Sequence, residues 1–334
     1  MSIKIKTNIP FDINRCIEND MKSFGFVKND GNINKNKFIN HLLKNYYLTF
    51  SNKETTVSKD INKFLSSQNI KNITDEMISK IMSLVKEPIY DNKYYYNYSI
   101  QFIINKDNEA IFNSIEKYYL RNRSLSEYFR EMLISYASNR QDHRELLLFP
   151  KLISKIESAI NNKKRVILTF ENNSSIMMDP FSIEQTKEEL YNYLIGVQIT
   201  NNGARRIIST KIYKIKEVIV TDDDIKINDT EKELFLKTIE HGAQFPISEY
   251  VITTLQLTKK GEQLYDAAYL NRPKYLKKEN NVYYFDCAIN QIDFYFFKFG
   301  EDVKIISPEN LKNRFSNKYY LALNNYKKKH NNDK

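Results

Sequence analysis

The side chains best suited to chemistry are few and scattered. The four histidines, His41, His143, His241 and His330, lie in different segments without the spacing of metal ligands. Cys16 and Cys287 are too few and too far apart for a disulfide framework or a zinc site, which fits a reducing compartment. Asp222, Asp223 and Asp224 form an acidic run after a strand. A metal-dependent nuclease would need partner carboxylates on other elements, so a solvated turn suits this run better. No Gly-x-x-x-x-Gly-Lys loop and no Gly-x-Ser-x-Gly elbow occurs. The reading is a protein that is not an enzyme and needs no metal or cofactor. What remains is cationic and aromatic: 51 lysines and arginines, 24 tyrosines and 20 phenylalanines. Guanidinium forks grip phosphate bidentately, and rings offer stacking faces. The chemistry these residue types suit is recognition of phosphates and bases.

Composition leaves that reading open without proving it. The net charge is +10 over 334 residues, which favours an anionic partner. Yet Lys, Asn, Ile and Tyr are abundant together, as an AT-rich genome would impose on any protein. A hydrophobic content of 41% supports real cores, and the length suggests two or three domains. The first residues lack a signal-peptide stretch, and no window reaches the roughly 20 apolar residues of a membrane helix. A cytoplasmic protein without membrane contact is expected.

The elements that position Lys4, Lys6 and Asn8 come twice. Residues 3–9 alternate, with Ile3, Ile5 and Ile9 on one face and Lys4, Lys6 and Asn8 on the other, a half-buried strand with a cationic outer face. Pro10 ends it, and Ile13, Ile17, Met21 and Phe24 follow at helical spacing up to Gly25. A polar turn leads to a second helix with Phe38, Leu42, Leu43 and Tyr46 on one side. The same order returns downstream. Ile100, Phe102 and Ile104 alternate with Ser99, Gln101 and Ile103, a helix carries Ile111 and Ile115, and Ser124 and Glu127 have capping-box spacing before Tyr128, Met132 and Tyr136. Aligning Ile9 with Ile104 gives an offset of 104 − 9 = 95 residues. Lys59–Leu65 and Thr74–Val85 read as connecting helices between the repeats, and the tyrosine run at 91–98 reads as packing or a stacking surface.

Strand, helix, short loop and helix resemble the ribbon-helix-helix fold, in which two units interlock and their strands form one antiparallel ribbon. The resemblance implies that Lys4, Lys6 and Asn8 face a DNA groove and that the second helix, near Asn34 to Asn36, faces phosphates. A chain carrying both halves could build the ribbon internally. The alternative is two unrelated strand-helix-helix pieces of a mixed domain.

From Phe149-Pro150 the pattern changes to a short helix and then closely spaced strands: KKRVILTF, MDPFSI, LYNYLIGVQIT and RRIISTKIYKIKEVIV. This order resembles the WYL domain, an Sm-like small β-barrel. The Trp-Tyr-Leu signature stands here as Asn192, Tyr193 and Leu194, and an expected second arginine is Ile208. The resemblance implies ligand sensing, often of nucleic acids, through Lys164, Arg165, Tyr193, Arg205, Arg206 and Lys211, with the matched Phe170 better placed in the barrel core. Residues 251–306 then read β-α-β-β-α-β, a ferredoxin-like order. With FGEDVKII and the helix opened by PENL, they resemble the WCX extension that follows WYL domains. The aromatic DFYFFKFG helix looks too apolar for an isolated surface and predicts a homodimer through this module.

The expected architecture is α+β: ribbon-helix-helix halves at 1–50 and 97–140, a helical linker at 51–96, a WYL domain at 150–228 and a dimerisation module at 245–330. The combination is similar to the WYL accessory proteins of type VI-D CRISPR systems. That resemblance implies a partner RNA-targeting effector and binding of single-stranded RNA. The competing reading is a ligand-responsive transcriptional regulator whose ribbon grips duplex DNA.

Overall fold

A computed structural model describes residues 3–68, 70, 72–86, 98–120, 123–186 and 188–328. His330 and most of the tyrosine run, 91–97, lie outside the described residues. The chain forms two compact units, Met1–Ile153 and Ser154–Lys334.

The first unit opens with β1 (Lys4–Ile9), whose residues alternate exposed and buried in register with the sequence pattern. Pro10 turns the chain into α1 (Phe11–Ser23), with Ile13, Ile17 and Met21 inward. α2 (Lys35–Ser67) starts where Asn34 Oδ1 accepts the Lys37 backbone N–H at 3.0 Å. The separate connecting helix expected at Lys59–Leu65 is the end of α2, which runs unbroken for 33 residues. No glycine or proline interrupts that stretch, so nothing stops helix propagation. α3 (Asp75–Lys86) matches the second connecting helix.

β2 (Tyr98–Ile103) pairs antiparallel with β1 inside the same chain, from Lys4 opposite Ile103 to Ile9 opposite Tyr98. α4 (Glu109–Ser114) continues as a π turn, and α5 (Leu125–Ala137) begins with the expected capping box of Ser124 and Glu127. Ile9, Ile100, Phe102, Phe38, Leu42, Phe129, Met132 and Tyr136 are all buried, so the inner face of the ribbon and the helices share one core. Thr7 Oγ1 donates to the Ser126 carbonyl at 2.7 Å, pinning β1 to the first turn of α5. α6 (Gln141–Leu148) was not legible in the sequence. Its Arg144 forks onto Asp20, at 2.6 and 2.8 Å, beside the Tyr136 hydroxyl. α7 (Pro150–Asn161) follows.

In the second unit, β3 (Lys164–Phe170), β4 (Ser175–Gln185), β5 (Asn192–Ile199), β6 (Arg205–Lys211) and β7 (Ile215–Asp224) form an antiparallel sheet in the order β6-β5-β4-β3-β7. The expected closed barrel is not formed: β6 and β7 are the two edges, and no pairing among the described residues joins them. A 3-10 turn at Ile212–Lys214 carries the chain out of β6, and β7 then crosses to pair with β3. Gly196 explains itself here. A Cβ at this position would sit 2.4 Å from the Asp179 carbonyl oxygen, where β4 shifts register between Pro180 and Ser182. α8 (Asp229–His241) is a helix the sequence reading missed, although Asn228 and Glu231 form a capping box at its start. Phe235 of α8 stacks on Phe181 of β4, with centroids 4.3 Å apart.

The final module contains β8 (Thr253–Leu257), α9 (Lys259–Ala267), β9 (Lys277–Glu279), β10 (Val282–Phe285), α10 (Ile289–Phe296), β11 (Val303–Ser307) and α11 (Glu309–Lys328). The sheet order β11-β8-β10-β9, antiparallel throughout, is that of the split β-α-β unit. The DFYFFKFG stretch departs from the expectation that its apolar rings need a partner chain. Tyr295, Phe296 and Phe299 are buried against Leu255, Tyr265, Phe285 and Ile305 of their own module, leaving Phe294 outward.

Candidate nucleic-acid interface

Two surfaces collect the residues nominated by the sequence. The first is the outer face of the ribbon. Strand alternation puts Lys4, Lys6 and Asn8 outward, and the register sets them opposite Ile103, Gln101 and Ser99. Lys4 and Lys6 have no ion-pair partner among the described residues. The edges beneath are held by other elements: Arg130 Nε donates to the Asn8 carbonyl at 2.8 Å, and the Ile103 N–H donates to Asn36 Oδ1 at 2.7 Å. The start of α2 is less open to phosphate than the sequence suggested. Asn34 Oδ1 is used by its cap, and Lys35 pairs with Glu18 at 3.0 Å.

The second surface belongs to the five-stranded sheet, and its cations divide into groups. Arg165 and Arg205 converge on one buried carboxylate, Asp179. Arg165 Nε lies 2.7 Å from Oδ1 and Arg205 Nη1 lies 3.3 Å from Oδ2. Arg205 also forks onto Glu231, at 2.9 and 3.0 Å, and donates to the Lys226 carbonyl. Its bond to Glu231, the largest influence, and its bond to Asp179 hold the guanidinium pKa above its ordinary value. Lys164 reaches Asp224 at 2.8 Å, which raises its pKa, so the acidic run at Asp222–Asp224 serves as counter-charge to the strand start.

Tyr193 and Lys211 form the other group. They face each other across β5 and β6, and both meet Glu189, Tyr193 Oη at 2.6 Å and Lys211 Nζ at 3.0 Å. The Lys211 ammonium lies 3.8 Å from the Tyr191 ring centroid, a close cation–π contact. Burial first, then the Glu189 carboxylate, drives the Tyr193 pKa upward, so its phenol stays protonated. Arg206 stands apart on edge strand β6, exposed, with Nη2 2.9 Å from Gln198 Oε1. Phe170 is half-buried.

Sequence reasoning missed the carboxylates. Asp179, Glu189 and Glu231 each satisfy a cation nominated for a ligand, and the Asn228–Glu231 capping box was the one signal that could have located Glu231. As the molecule stands, a phosphate approaching Arg205 meets a guanidinium already held by carboxylates. One approaching Arg206, Lys4 or Lys6 meets an accessible cation. No group of three or more His, Cys, Asp or Glu able to hold a metal occurs among the described residues, and no described helix is long and apolar enough to cross a membrane.

No protein-family model matches the chain, and no curated protein matches it in sequence. Among solved structures, one described as a CRISPR Cas-related protein is similar with a TM-score of 0.69 at 20% identity, covering 98% of this chain and 95% of that one. The proteasome accessory factor B/C (PafBC) of Arthrobacter aurescens gives a TM-score of 0.25 at 14% identity, covering 56% of this chain and 30% of that one. Nearly the whole chain therefore shares its fold with the CRISPR Cas-related protein.

Proposed function

We propose that this protein is a non-catalytic nucleic-acid-binding accessory factor of a CRISPR system. In this reading it binds single-stranded RNA through a WYL-type domain in the second unit and enhances an RNA-targeting effector of the type VI-D kind. The observation that carries the reading is the end-to-end likeness to a CRISPR Cas-related protein. Two local features support the finer assignments. The last strand of the five-stranded sheet returns beside the first after a 3-10 turn, the order of an opened Sm-like barrel, and the paired β1–β2 strands with their helices suit an internal ribbon-helix-helix. Arg206 lies exposed at the start of edge strand β6, where a phosphate can reach it, next in sequence to the carboxylate-held Arg205. A homodimer through the C-terminal module belongs to the same proposal.

A second reading, a duplex-DNA regulator, is favoured by one observation: the outer-face ammoniums of Lys4 and Lys6 are unpaired among the described residues. A paired titration separates the two. Lys4→Ala with Lys6→Ala is expected to weaken duplex DNA binding and spare RNA, and Arg205→Ala with Arg206→Ala to do the reverse. Because Arg205 also holds Glu231, Arg206→Glu alone is the control that leaves that contact in place. If the ribbon lysines govern RNA affinity and the sheet arginines do not, the RNA-binding domain has been assigned wrongly.

A further inference from the structure

In the first unit, a cleft of about 220 Å³ opens between α2 and the segment that follows β2. Asn36, Lys37, Asn40, His41 and Lys44 line it from α2, at the three- and four-residue steps that share a helix face. Asp107 and Asn108 stand on the other side.

The wall is rigid. Asn40 Nδ2 donates to the Ile103 carbonyl at 2.8 Å, and Asn40 Oδ1 accepts the Asn105 N–H at 2.9 Å. Asn108 Nδ2 donates to both the Asn40 carbonyl, at 2.8 Å, and Asn40 Oδ1, at 3.0 Å. Those two acceptors fix the orientation of the Asn108 amide, because the flipped form would set oxygen against oxygen. Asn108 Oδ1 is then left buried with no donor, at a residue 1% exposed. An unmet buried acceptor costs free energy until a donor arrives.

The cations of the cleft are available. Lys37 and Lys44 have no ion-pair partner among the described residues. His41 adds no charge: burial lowers its pKa, and its Nε2 is engaged with the Leu148 carbonyl at 2.8 Å. The cleft thus offers two ammoniums and the exposed Asp107 carboxylate, with the unmet Asn108 Oδ1 buried at the same wall. A phosphodiester alone would satisfy the ammoniums and leave the acceptors empty, since its oxygens carry no proton at neutral pH. A ligand that fits must carry an anion and a hydroxyl donor a few bonds apart. A ribonucleotide does, and a 2′-deoxynucleotide within a strand lacks the donor.

We propose that this cleft holds one ribonucleotide unit of a single-stranded RNA, with its phosphate between Lys37 and Lys44 and its 2′-hydroxyl donating to the Asn108–Asp107 side. This rests on the RNA-binding reading and adds a contact outside the sheet that reading assigns.

The test uses the full chain and three labelled 15-mers of one sequence, as RNA, 2′-O-methyl RNA and DNA, followed by fluorescence anisotropy. RNA is expected to bind most tightly, and Lys37→Ala with Lys44→Ala to weaken it about tenfold or more. The same double variant should lose most of the preference for RNA over 2′-O-methyl RNA, a readout that needs no change at buried Asn108. Equal binding of RNA and 2′-O-methyl RNA by the unmodified protein overturns the assignment of the hydroxyl. RNA binding that persists unchanged in the lysine variant, while Arg206→Glu weakens it, overturns the cleft and leaves the RNA reading standing. Absence of RNA binding by the unmodified protein overturns both.

Discussion

Lys6 stands directly opposite Gln101 across the ribbon, and 101 − 6 = 95 is the same offset that aligns Ile9 with Ile104 in the sequence. The pair therefore marks the centre of an approximate two-fold axis relating the two strand-helix-helix halves. Its outer face is chemically lopsided, an ammonium facing a carboxamide.

That lopsidedness sets the first prediction. Lys4 and Lys6 are exposed, so replacing both with alanine should change folding stability by less than about 1 kcal/mol. Any loss of duplex DNA affinity then reports contact and not unfolding. Thermal melts of the double variant, run beside the DNA titration, check this.

Asp179 gives the opposite case. It is fully buried under Arg165 and Arg205, and Asp179→Ala would leave both guanidiniums without that partner. Residual contacts of Arg165 to Asp223 and Arg205 to Glu231 soften the damage. A loss of about 3 kcal/mol is expected in urea denaturation, the low end for breaking a buried pair. A loss below about 1 kcal/mol would show that the pairs contribute little.

Salt dependence tests the proposed RNA surface. If several exposed cations meet phosphates, the log–log slope of affinity against salt should be about −0.7 per contact on a single strand. Arg206→Ala should flatten the slope by about one such step, measured between two salt concentrations.

The capping box of α5 predicts an acid-side effect. Hydrogen bonds from the Ser124 backbone N–H, the largest influence, and from its hydroxyl lower the Glu127 pKa. A lowered folded-state value means the contribution is complete above the unfolded carboxylate value, roughly 4.3, and is lost as pH falls through the lower folded value. Glu127→Gln should therefore flatten the melting-temperature profile below about pH 4.3 and leave the slope near neutrality unchanged.

The C-terminal rings test the corrected account of DFYFFKFG. Phe296 is fully buried, with its ring parallel to Tyr265 at 6.0 Å between centroids. Phe296→Ala should cost about 3–5 kcal/mol of folding free energy. Light scattering on the folded fraction should show the oligomeric state unchanged, as the side chain faces its own core.

Much of this was legible because strands with one buried face advertise themselves at period two. The faces of β1 and β2 and the 95-residue offset follow from Ile5, Ile9, Ile100 and Phe102 alone. The six-element order of the final module was equally plain. The α2 helix was misjudged because Ser51, Thr55, Thr56 and Ser58 look like a break, yet Ser51 and Thr55 fold their polarity back onto the helix and its neighbours: Thr55 Oγ1 donates to the Ser51 carbonyl and Ser51 Oγ bonds Tyr128 Oη. The site was harder. Arg165 and Arg205 read as ligand-seeking because their partner, Asp179, lies 14 and 26 residues away in the chain, and sequence adjacency carries no trace of that convergence. DFYFFKFG misled for a similar reason, since the strands that cover it come from both sides of it in the chain.

Gathering both ribbon strands into one chain has a further consequence. A ribbon made from two identical copies repeats every substitution on both strands, so its surface reads the same from either end. Here Lys4 can change while its counterpart Ser99 does not, and the surface carries a direction: Lys4 beside Ile103 at one end, Asn8 beside Ser99 at the other. Such a surface presents different chemistry at its two ends, and a single substitution alters one end without touching the other.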